Sequence, residues 1–352
     1  YLRFFLKAGF NVKLWTQKND SHAKDKLFYQ SLGIEVLYSN NEGLSFSKWI
    51  KNNGAYLNYV FLSRPEVAKV FFTEVRKHSQ AKIFYYGHDI HHLRLKAEYK
   101  LTGQQGLKHQ ADQVEELEKQ LWKKMDVSYY PSTSECNYIQ AQFPKNTIRY
   151  LTPYVYASNS RAAELEFNER QDLLFVGNFL HTPNIDAVIW LVKEIFPLIQ
   201  KQLSEVNLHI VGNKPPQEII KLHDQKVSIT GFVANETLEK YYQQSRVFIA
   251  PLRFGAGVKG KIVDAFYHGL PTVTTSFGAQ GIPEFETSLV LGESAQEIAD
   301  KTIMLYQNQE LWHQLAHKGR ALIAEHYSEA ALKNILKLDF PELKQPIAEQ
   351  SL

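Results

Sequence analysis

The sequence contains few of the features that mark disulfide-rich, metal-binding or membrane-spanning proteins. Cys136 is the one cysteine among 352 residues, which excludes an intramolecular disulfide framework and indicates a reducing compartment. No Cys-x-x-Cys motif and no His/Cys cluster with the spacing of metal ligands occurs. No apolar run is long enough to span a bilayer, and no signal-peptide pattern is visible. The composition is that of an ordinary globular protein.

A strong charge of one sign is also lacking. Lysine and arginine number 40 against 37 aspartates and glutamates, which leaves a formal net charge of +3. An excess this small does not favour a nucleic-acid partner. The length of 352 residues indicates roughly two domains, each large enough to bury a core of its own.

Short apolar runs alternate with helical segments through the first half of the chain. This alternation predicts an α/β domain over residues 1–155, with helices on both faces of a parallel sheet. The chain begins at Tyr1 inside a helical pattern, so we expect a strand and a loop upstream of it. Strands are predicted at 11–15, 34–38, 59–63, 82–86 and 126–130, and helices at 27–32, 66–78 and 96–125, the last with most of its charges on one solvated face.

A polar cluster, GHDIHHLR at 87–94, directly follows the fourth predicted strand. Ligands of parallel sheets bind beyond the carboxyl ends of the strands. His88 and Asp89 therefore lie where a phosphate or a sugar could bind, or where a proton could be transferred near neutral pH. The alternative is a polar loop that starts a helix, with Asp89 as its cap. Glu135 is expected at the same edge, after a helix cap at Ser132 or Thr133.

The same alternation restarts after an irregular stretch. Residues 156–170 are predicted to link the first domain to a second one over 171–330, and residues 331–352 to form a helix or tail that crosses back. Thr182 is expected to cap the first long helix, and Pro197 to kink or end it. Strands are predicted at 172–176, 207–211, 227–230, 246–250, 272–276 and near 289, and helices at 185–199, 236–244, 258–268, 295–307, 310–326 and 329–336.

The strand at 246–250 runs into a glycine-rich loop that opens a helix. Such a turn brings free backbone N–H groups and the positive end of the helix dipole to one point. Lys259 and Lys261 add positive charge there, and Asp264 could accept hydrogen bonds from sugar hydroxyls. These features suit a nucleotide diphosphate with its ribose. The alternative, from the loop alone, is a tight βα turn with solvated lysines.

Five blocks of the second half occur in the order and spacing of a known family. They are FVGNFLHTPNIDAV at 175–188, HIVGN at 209–213, ITGFV at 229–233, PLRFGAGVKGKIVDAFYHGLPTVTT at 251–275 and GAQGI at 278–282. In these blocks the sequence resembles the retaining glycosyltransferases of family 4. The resemblance implies the GT-B fold, an α/β architecture of two Rossmann-like domains that face a central cleft. The first half resembles the more variable acceptor domain, at HDIHHLR and STSE.

The resemblance also implies roles for individual residues. Arg253 and Lys259 or Lys261 would neutralise the diphosphate, whose negative charge grows as it leaves. Asp264 would hold the ribose hydroxyls, and His88 with Asp89 would face the reaction centre. The implied catalytic residues are His88, Asp89, Arg253 and Lys261, and the implied donor-binding residues are Asn178, His181, Phe232, Val233, Gly255, Gly257, Val258, Lys259, Asp264, Gly278 and Ala279.

The implied reaction moves a sugar from a UDP-, GDP- or dTDP-sugar to a hydroxyl of a glycan, a lipid-linked sugar or a protein-linked glycan, with retention at the anomeric carbon. No metal or other cofactor is required, because the basic residues take the metal's role. Ala256 stands where the family commonly has a glutamate near the donor sugar, so donor binding is implied more firmly than catalysis. The setting implied is polysaccharide or lipopolysaccharide synthesis in the bacterial cytoplasm, with peripheral contact to the inner face of the membrane and with other domains of a longer chain.

Two other interpretations remain open at this point. A nucleotide-sugar epimerase uses the same two-domain fold, but no acid and base set for it is recognisable. A degenerate domain that binds nucleotide or glycan without catalysis agrees with Ala256 and with the start at Tyr1. A nicotinamide dehydrogenase is disfavoured, because the glycine pattern lies well inside the second domain and no acidic residue ends the following strand.

Overall fold

The computed structural model describes residues 1–16, 23–39, 45–157, 166–255 and 257–344, without the side chains of 23–25 and 101. The chain divides into two compact units. Unit 1 consists of Tyr1–Pro153 together with Leu332–Leu352, and unit 2 of Tyr154–Ala331. Ala256 and most of the predicted linker, 158–165, lie outside the described residues. No helix in the described part of the chain is both long and apolar enough to cross a bilayer.

Unit 1 contains parallel sheets, as the alternation of strands and helices predicts. Strands β3, β4, β5 and β6 form a four-stranded sheet in that order, and β1 pairs with β2 in a second sheet. Strand β6 is absent from the predictions because its three residues are too short to show a periodic pattern. The bounds are β1 Lys13–Thr16, β2 Glu35–Tyr38, β3 Tyr59–Ser63, β4 Lys82–Tyr86, β5 Val127–Tyr130 and β6 Ile148–Tyr150.

The helices of unit 1 follow the predictions with two differences. A helix at Phe46–Asn53 was not predicted, and the long segment at 96–125 belongs to two helices. Gly103 separates them, since its φ of 69° ends the first helix in the left-handed conformation that glycine tolerates. The bounds are α1 Leu2–Lys7, α2 Ala23–Ser31, α3 Phe46–Asn53, α4 Pro65–His78, α5 His91–Thr102, α6 Gln105–Lys124 and α7 Thr133–Gln142.

The C-terminal segment packs on the sheet of unit 1. The Phe340 ring lies 4.5 Å from Tyr59 and 4.7 Å from Phe84, measured between ring centroids. Asp339 is buried beneath it and accepts hydrogen bonds from the Tyr129 hydroxyl at 2.6 Å and from Lys82 Nζ at 3.0 Å. A buried carboxylate with such partners fixes the segment in one place.

Unit 2 is built on one six-stranded parallel sheet. The strand order is β12-β11-β10-β7-β8-β9, so the chain leaves central β7 toward one edge of the sheet and central β10 toward the other. Strand β10 is apolar from Val247 to its end because it is covered on both faces: Val247, Phe248 and Ile249 are all fully buried. The bounds are β7 Gln171–Val176, β8 Leu208–Val211, β9 Val227–Ile229, β10 Ser245–Ala250, β11 Thr272–Thr274 and β12 Val290–Leu291.

The first long helix of unit 2 is interrupted, as Pro197 predicts. A π-helical turn at Leu191–Ile195 joins α8 to α9 just before the proline, which has no N–H to donate to the preceding turn. His181 rather than Thr182 occupies the N-cap position of α8. The bounds are α8 Thr182–Trp190, α9 Phe196–Gln200, α10 Gln217–Ile220, α11 Asn235–Gln244, α12 Gly260–Tyr267, α13 Ser276–Ala279, α14 Phe285–Ser288, α15 Ala295–Gln307, α16 Gln309–His326 and α17 Glu329–Leu336, the last running from unit 2 into unit 1.

Candidate functional site

The strand order of unit 2 singles out one place on its sheet. Strands β7 and β10 are neighbours, with Leu173 opposite Val247, and their connections leave in opposite directions. The loops that follow two such strands diverge and leave a crevice at the carboxyl edge of the sheet, which is where open α/β sheets bind ligands. We call this place the switch-point edge. The predicted donor-binding loops after β7 and β10 both start there.

The loop after β7 carries the predicted residues Asn178 and His181. Both side chains are exposed. Asn178 shapes the loop, since its Oδ1 accepts the Leu180 N–H at 3.1 Å and its carbonyl accepts Asn184 Nδ2 at 2.7 Å. Asn184 is buried at the start of α8, and its hydrogen bond to the Asn178 carbonyl ties the loop to this helix.

Lys261 links the loop after β10 to the loop after β7. Its Nζ donates to Asn184 Oδ1 at 2.5 Å and lies 4.3 Å from the centroid of the Phe175 ring. Burial of the ammonium group lowers the pKa of Lys261 to about 7, and the positive charge of Lys259 contributes. Within the described part of the chain no carboxylate pairs with Lys261, and a lysine held in this way beside a helix start is suited to an anionic ligand. Asn184 was not predicted as a site residue. The one sequence signal for such a role is its position in the TPNID run, just after the loop that follows β7.

The glycines of the loop after β10 have conformations that other residues rarely adopt. Gly255 has a φ of 127° and Gly257 a φ of 72°. The Gly257 carbonyl accepts Lys259 Nζ at 2.5 Å, which folds the lysine over the loop, and Val258 is half-buried beside it. Substitution of either glycine would therefore strain the backbone in front of α12.

Arg253, predicted to be catalytic, is held by a carboxylate. Its Nε and Nη2 donate to the two oxygens of Asp186 at 2.9 and 2.5 Å. This pairing raises the pKa of Arg253 above its ordinary value. The guanidinium also lies 5.0 Å from the centroid of the Trp190 ring. The arrangement fixes the arginine at the switch-point edge and leaves it exposed on its other side.

Asp264 lies one turn into α12, and its carboxyl group has one hydrogen-bond partner among the described residues. The Tyr156 hydroxyl donates to its Oδ1 at 2.6 Å. Burial raises the pKa of the Asp264 carboxyl, and the Tyr156 hydrogen bond opposes that rise. Tyr156 lies in the stretch predicted as a linker, so sequence reasoning did not connect it with the site.

The remaining predicted donor-binding residues lie after β9 and β11. Phe232 is 77% exposed and follows Gly231, whose φ is 70°, while Val233 is half-buried. Gly278 and Ala279 are buried in the short helix α13, whose start is capped by Thr275. A side chain at Gly278 would collide with the Thr274 hydroxyl, so this helix can lie so close to β11 only because residue 278 is a glycine.

One group of possible metal ligands involves none of the predicted site residues. The ligand atoms of Glu284, Glu325 and His326 lie within 4.8 Å of one another, and both carboxylates are exposed. Exposed acidic groups often meet without a metal, so we assign no metal here. It is the one such group within the described ranges of the chain.

In unit 1, His88 follows β4 in a strained conformation. Its φ is 66°, unusual for a residue with a side chain. His88 Nε2 lies 2.6 Å from the hydroxyl of Ser63, the last residue of β3. Burial lowers the pKa of His88 to about 4, and the charges of Arg64 and His91 act in the same direction. The imidazole is therefore neutral at physiological pH.

Asp89 is engaged within its own cluster. His91 Nδ1 lies 2.7 Å from Oδ1, and Arg94 Nε donates to Oδ2 at 2.8 Å. Burial acts to raise the pKa of Asp89, but these two partners outweigh it and lower the pKa overall. Both oxygens have partners, which suits a carboxylate that orders the loop after β4. Glu135 likewise accepts the Ile90 N–H at 3.1 Å, so the expected edge residue supports the same loop.

Glu118 is a buried carboxylate in the segment whose charges were mostly expected on one solvated face. It is fully buried and accepts the backbone N–H groups of His91 at 3.0 Å and His92 at 3.2 Å, at the start of α5. Its Oε2 also lies 2.7 Å from His92 Nδ1. Such a carboxylate supplies the caps that this helix start otherwise lacks. One charged residue among many on α6 gives no sequence signal of this role.

Replacing Glu118 with alanine is expected to destabilise unit 1 by about 3 kcal/mol or more, because three donors would lose a buried acceptor. Urea unfolding followed by circular dichroism would measure the loss as a lower midpoint. Glu116→Ala on the exposed face of the same helix is the matched control and should change little. Equal midpoints for the two variants would contradict the capping role.

Comparisons with known proteins match both the sequence and the fold of this chain to glycosyltransferases. Residues 170–308 match the family model of Glycosyl transferases group 1. A Klebsiella pneumoniae protein, described as an uncharacterized 44.6 kDa protein in the cps region, is 27% identical over 175 residues, or 47% of this chain. The crystal structure of a Staphylococcus aureus TarM variant in complex with fondaparinux, α-GlcNAc-glycerol and UDP is 16% identical over 85% of this chain, with a TM-score of 0.63. Anabaena HepE in complex with UDP and glucose is 12% identical over 94% of this chain and 99% of its own, with a TM-score of 0.65.

The coverage of these relatives is uneven. The match spans 45% of the Klebsiella protein, and the chain covers 58% of TarM. The matched residues 170–308 lie within unit 2 and include the switch-point edge. The chain thus carries the sequence pattern of the group 1 glycosyltransferases over residues 170–308 and has the α/β fold with parallel sheets of GT-B glycosyltransferases.

Proposed function

We propose that the protein transfers a sugar from a nucleotide diphosphate sugar to an acceptor hydroxyl, with retention of the anomeric configuration. The observation that carries this proposal is Lys261, held at the start of α12 and hydrogen-bonded to Asn184 across the switch-point edge. It lies inside the region that matches the glycosyltransferase family model. The TarM variant and HepE, which share the fold, were crystallised with UDP, which supports a uridine or related nucleotide as the donor's leaving group.

The diphosphate would bind where the loop after β10 meets α12. Backbone N–H groups at the helix start and the side chains of Lys259 and Lys261 supply positive charge. During transfer the bond from the anomeric carbon to the diphosphate oxygen breaks, and a bond to the acceptor oxygen forms. The acceptor's proton passes to the leaving diphosphate, so the reaction balances without a further reagent. Arg253, fixed by Asp186, is proposed to stabilise the charge that develops on the leaving group.

The other predicted residues are proposed to bind the rest of the donor or to act at the reaction centre. Phe232 and Val233 are proposed to frame the base, and Asp264 to accept hydrogen bonds from the ribose. His88, with Asp89 ordering its loop, is proposed to act at the reaction centre. Asn178, His181, Gly255, Gly257, Val258, Gly278 and Ala279 are proposed to complete the binding of the diphosphate and the sugar.

The acceptor is proposed to be a glycan, a lipid-linked sugar or a protein-linked glycan. The Klebsiella relative lies in a cps region and the TarM variant was crystallised with fondaparinux, which supports a role in polysaccharide synthesis. We propose that transfer takes place in the cytoplasm at the inner face of the membrane. Sedimentation with liposomes of anionic lipid would test the membrane contact, and protein that stays in the supernatant would argue against it.

The function is tested by incubating the protein with UDP-glucose, UDP-N-acetylglucosamine, GDP-mannose and dTDP-rhamnose, with and without n-octyl glycosides as acceptors. We expect release of nucleoside diphosphate from one donor class, and a product whose anomeric proton coupling matches that of the donor. The Asp264→Ala variant is the inactive control. Nucleotide binding without release from any donor would instead identify a binding domain that lacks catalysis.

A further inference from the structure

The hydrogen bond between Tyr156 and Asp264 connects two segments that are far apart in the sequence. Tyr156 lies at the start of unit 2, and Asp264 lies one turn into α12. The distance from the tyrosine hydroxyl to Asp264 Oδ1 is 2.6 Å, as expected for a hydroxyl that donates to a carboxylate. The residue that sequence reasoning assigned to a linker thus touches the proposed ribose-binding carboxylate.

Tyr156 is held rigidly on its own side. Its backbone N–H donates to the Tyr327 carbonyl at 2.7 Å, and the residue forms a parallel bridge with Ser328. Its ring is stacked on that of Tyr267, with 4.6 Å between the centroids. Because both backbone and ring are fixed, the hydroxyl has little freedom and holds Asp264 in one orientation.

Asp264 has one oxygen left for a ligand. Within the described residues no hydrogen bond reaches Oδ2, and this atom is not among the polar atoms buried from solvent. Lys261 and Asp264 are three residues apart on α12, so both side chains lie on the same side of the helix. A ligand whose diphosphate contacts Lys261 can therefore present hydroxyls to Asp264.

We propose that Tyr156 is a positioning and specificity-determining residue, which together with Asp264 selects a vicinal diol and hence a ribonucleoside over a 2′-deoxyribonucleoside diphosphate. This inference rests on the proposed function. Asp264 Oδ2 accepts one ribose hydroxyl, and the Tyr156 oxygen, whose proton is given to Oδ1, accepts the second. A 2′-deoxyribose has only one of the two hydroxyls, so it leaves one of these acceptors without a donor.

The test compares the binding of UDP and 2′-deoxy-UDP by isothermal titration calorimetry at pH 7.5. We expect the wild type to bind UDP at least tenfold more tightly, and Tyr156→Phe to reduce that ratio to about threefold or less. Tyr267→Phe is the matched control. This substitution removes the hydroxyl of the ring that is stacked on Tyr156. Within the described residues that hydroxyl makes no hydrogen bond to Asp264, so the variant should keep the wild-type ratio of the two affinities.

The ratio separates specificity from general damage to the fold. Misfolding weakens UDP and 2′-deoxy-UDP equally, whereas loss of the Tyr156 hydroxyl acts on one of them. Equal affinities for the two nucleotides in the wild type, or an unchanged ratio in Tyr156→Phe, would overturn the inference while the proposed function stands. Absence of any UDP binding would overturn the proposed function itself.

A second measurement uses pH. The Tyr156 hydrogen bond lowers the pKa of Asp264, so its removal raises that pKa further. The affinity of Tyr156→Phe for UDP should therefore begin to fall at a higher pH than that of the wild type as the solution is acidified. Coincident acidic limbs for the two proteins would contradict the proposed role of Tyr156.

Discussion

Replacing Lys261 with methionine is expected to weaken the binding of UDP about 30- to 100-fold, equal to about 2–3 kcal/mol. The ammonium group is held at the start of α12 by Asn184, and none of the carboxylates in the described ranges is bound to it. A bound diphosphate would be its first anionic partner, and methionine keeps the volume of the side chain while removing the charge. Isothermal titration with UDP measures the loss.

A lysine elsewhere on unit 2 separates the local effect from the change in net charge. Lys201 is exposed at the end of α9, next to the amino end of β8 and therefore at the opposite edge of the sheet. Lys201→Met should bind UDP as the wild type does. If Lys201→Met and Lys261→Met lose the same affinity, or neither loses any, the assignment of the loop after β10 is wrong.

The pH dependence of the same titration gives an independent signature. In the free protein the pKa of Lys261 is about 7, and a bound diphosphate raises it by attraction. Binding above pH 7 must therefore take up a proton, and the affinity for UDP should fall by up to about tenfold for each pH unit between 7 and 9. Lys261→Met should show no such fall. Titrations in buffers of different ionisation enthalpy would detect the proton directly.

The lowered pKa of Lys261 also predicts how the stability of the protein depends on pH. The folded pKa of Lys261 lies below its ordinary value of 10.5, so between about pH 7 and 10.5 the unfolded chain holds a proton that the folded chain lacks. The free energy of unfolding therefore rises with pH across this window, and this gain is lost as the pH falls toward 7. The thermal midpoint of the wild type should rise relative to that of Lys261→Met between pH 7.5 and 9.5.

Replacing His88 with alanine is expected to lower the rate of sugar transfer by about 100-fold or more and to leave UDP affinity unchanged. The imidazole lies in unit 1 and is neutral at physiological pH because burial lowers its pKa to about 4. Ser63 and the left-handed backbone hold it in one orientation. The proposed diphosphate contacts all lie in unit 2, so donor binding and transfer should separate in this variant.

The control for this experiment is a second histidine of unit 1, which is exposed on a helix. His109 lies on α6 and is hydrogen-bonded to Gln113, away from the loop after β4. His109→Ala should transfer sugar at the wild-type rate. A normal rate in His88→Ala would remove this residue from the catalytic proposal, whereas a parallel loss of UDP affinity would point to a structural role.

Much of the fold was predictable from local patterns. Strands β3 and β4 begin and end at the predicted residues, and β10 within one residue, because buried parallel strands are short apolar runs between turn residues. Among the features missed when the fold was predicted from local patterns are the end of α5 at Gly103 and the strand β6. A glycine inside a charged segment, or a strand of three residues, is too weak a signal to override the surrounding pattern.

The residue types of the candidate site were predictable from the sequence, but the contacts between those residues were not. The sequence by itself determined that lysines, glycines and a carboxylate follow the strand at β10, since chemistry and spacing are local properties. Only the tertiary structure decided that Lys261 meets Asn184, that Asp264 meets Tyr156, and that Glu118 is buried beneath α5. The partners of the first two pairs are 77 and 108 residues apart. Such contacts depend on strand order, helix packing and the orientation of side chains, which no local pattern of the sequence encodes.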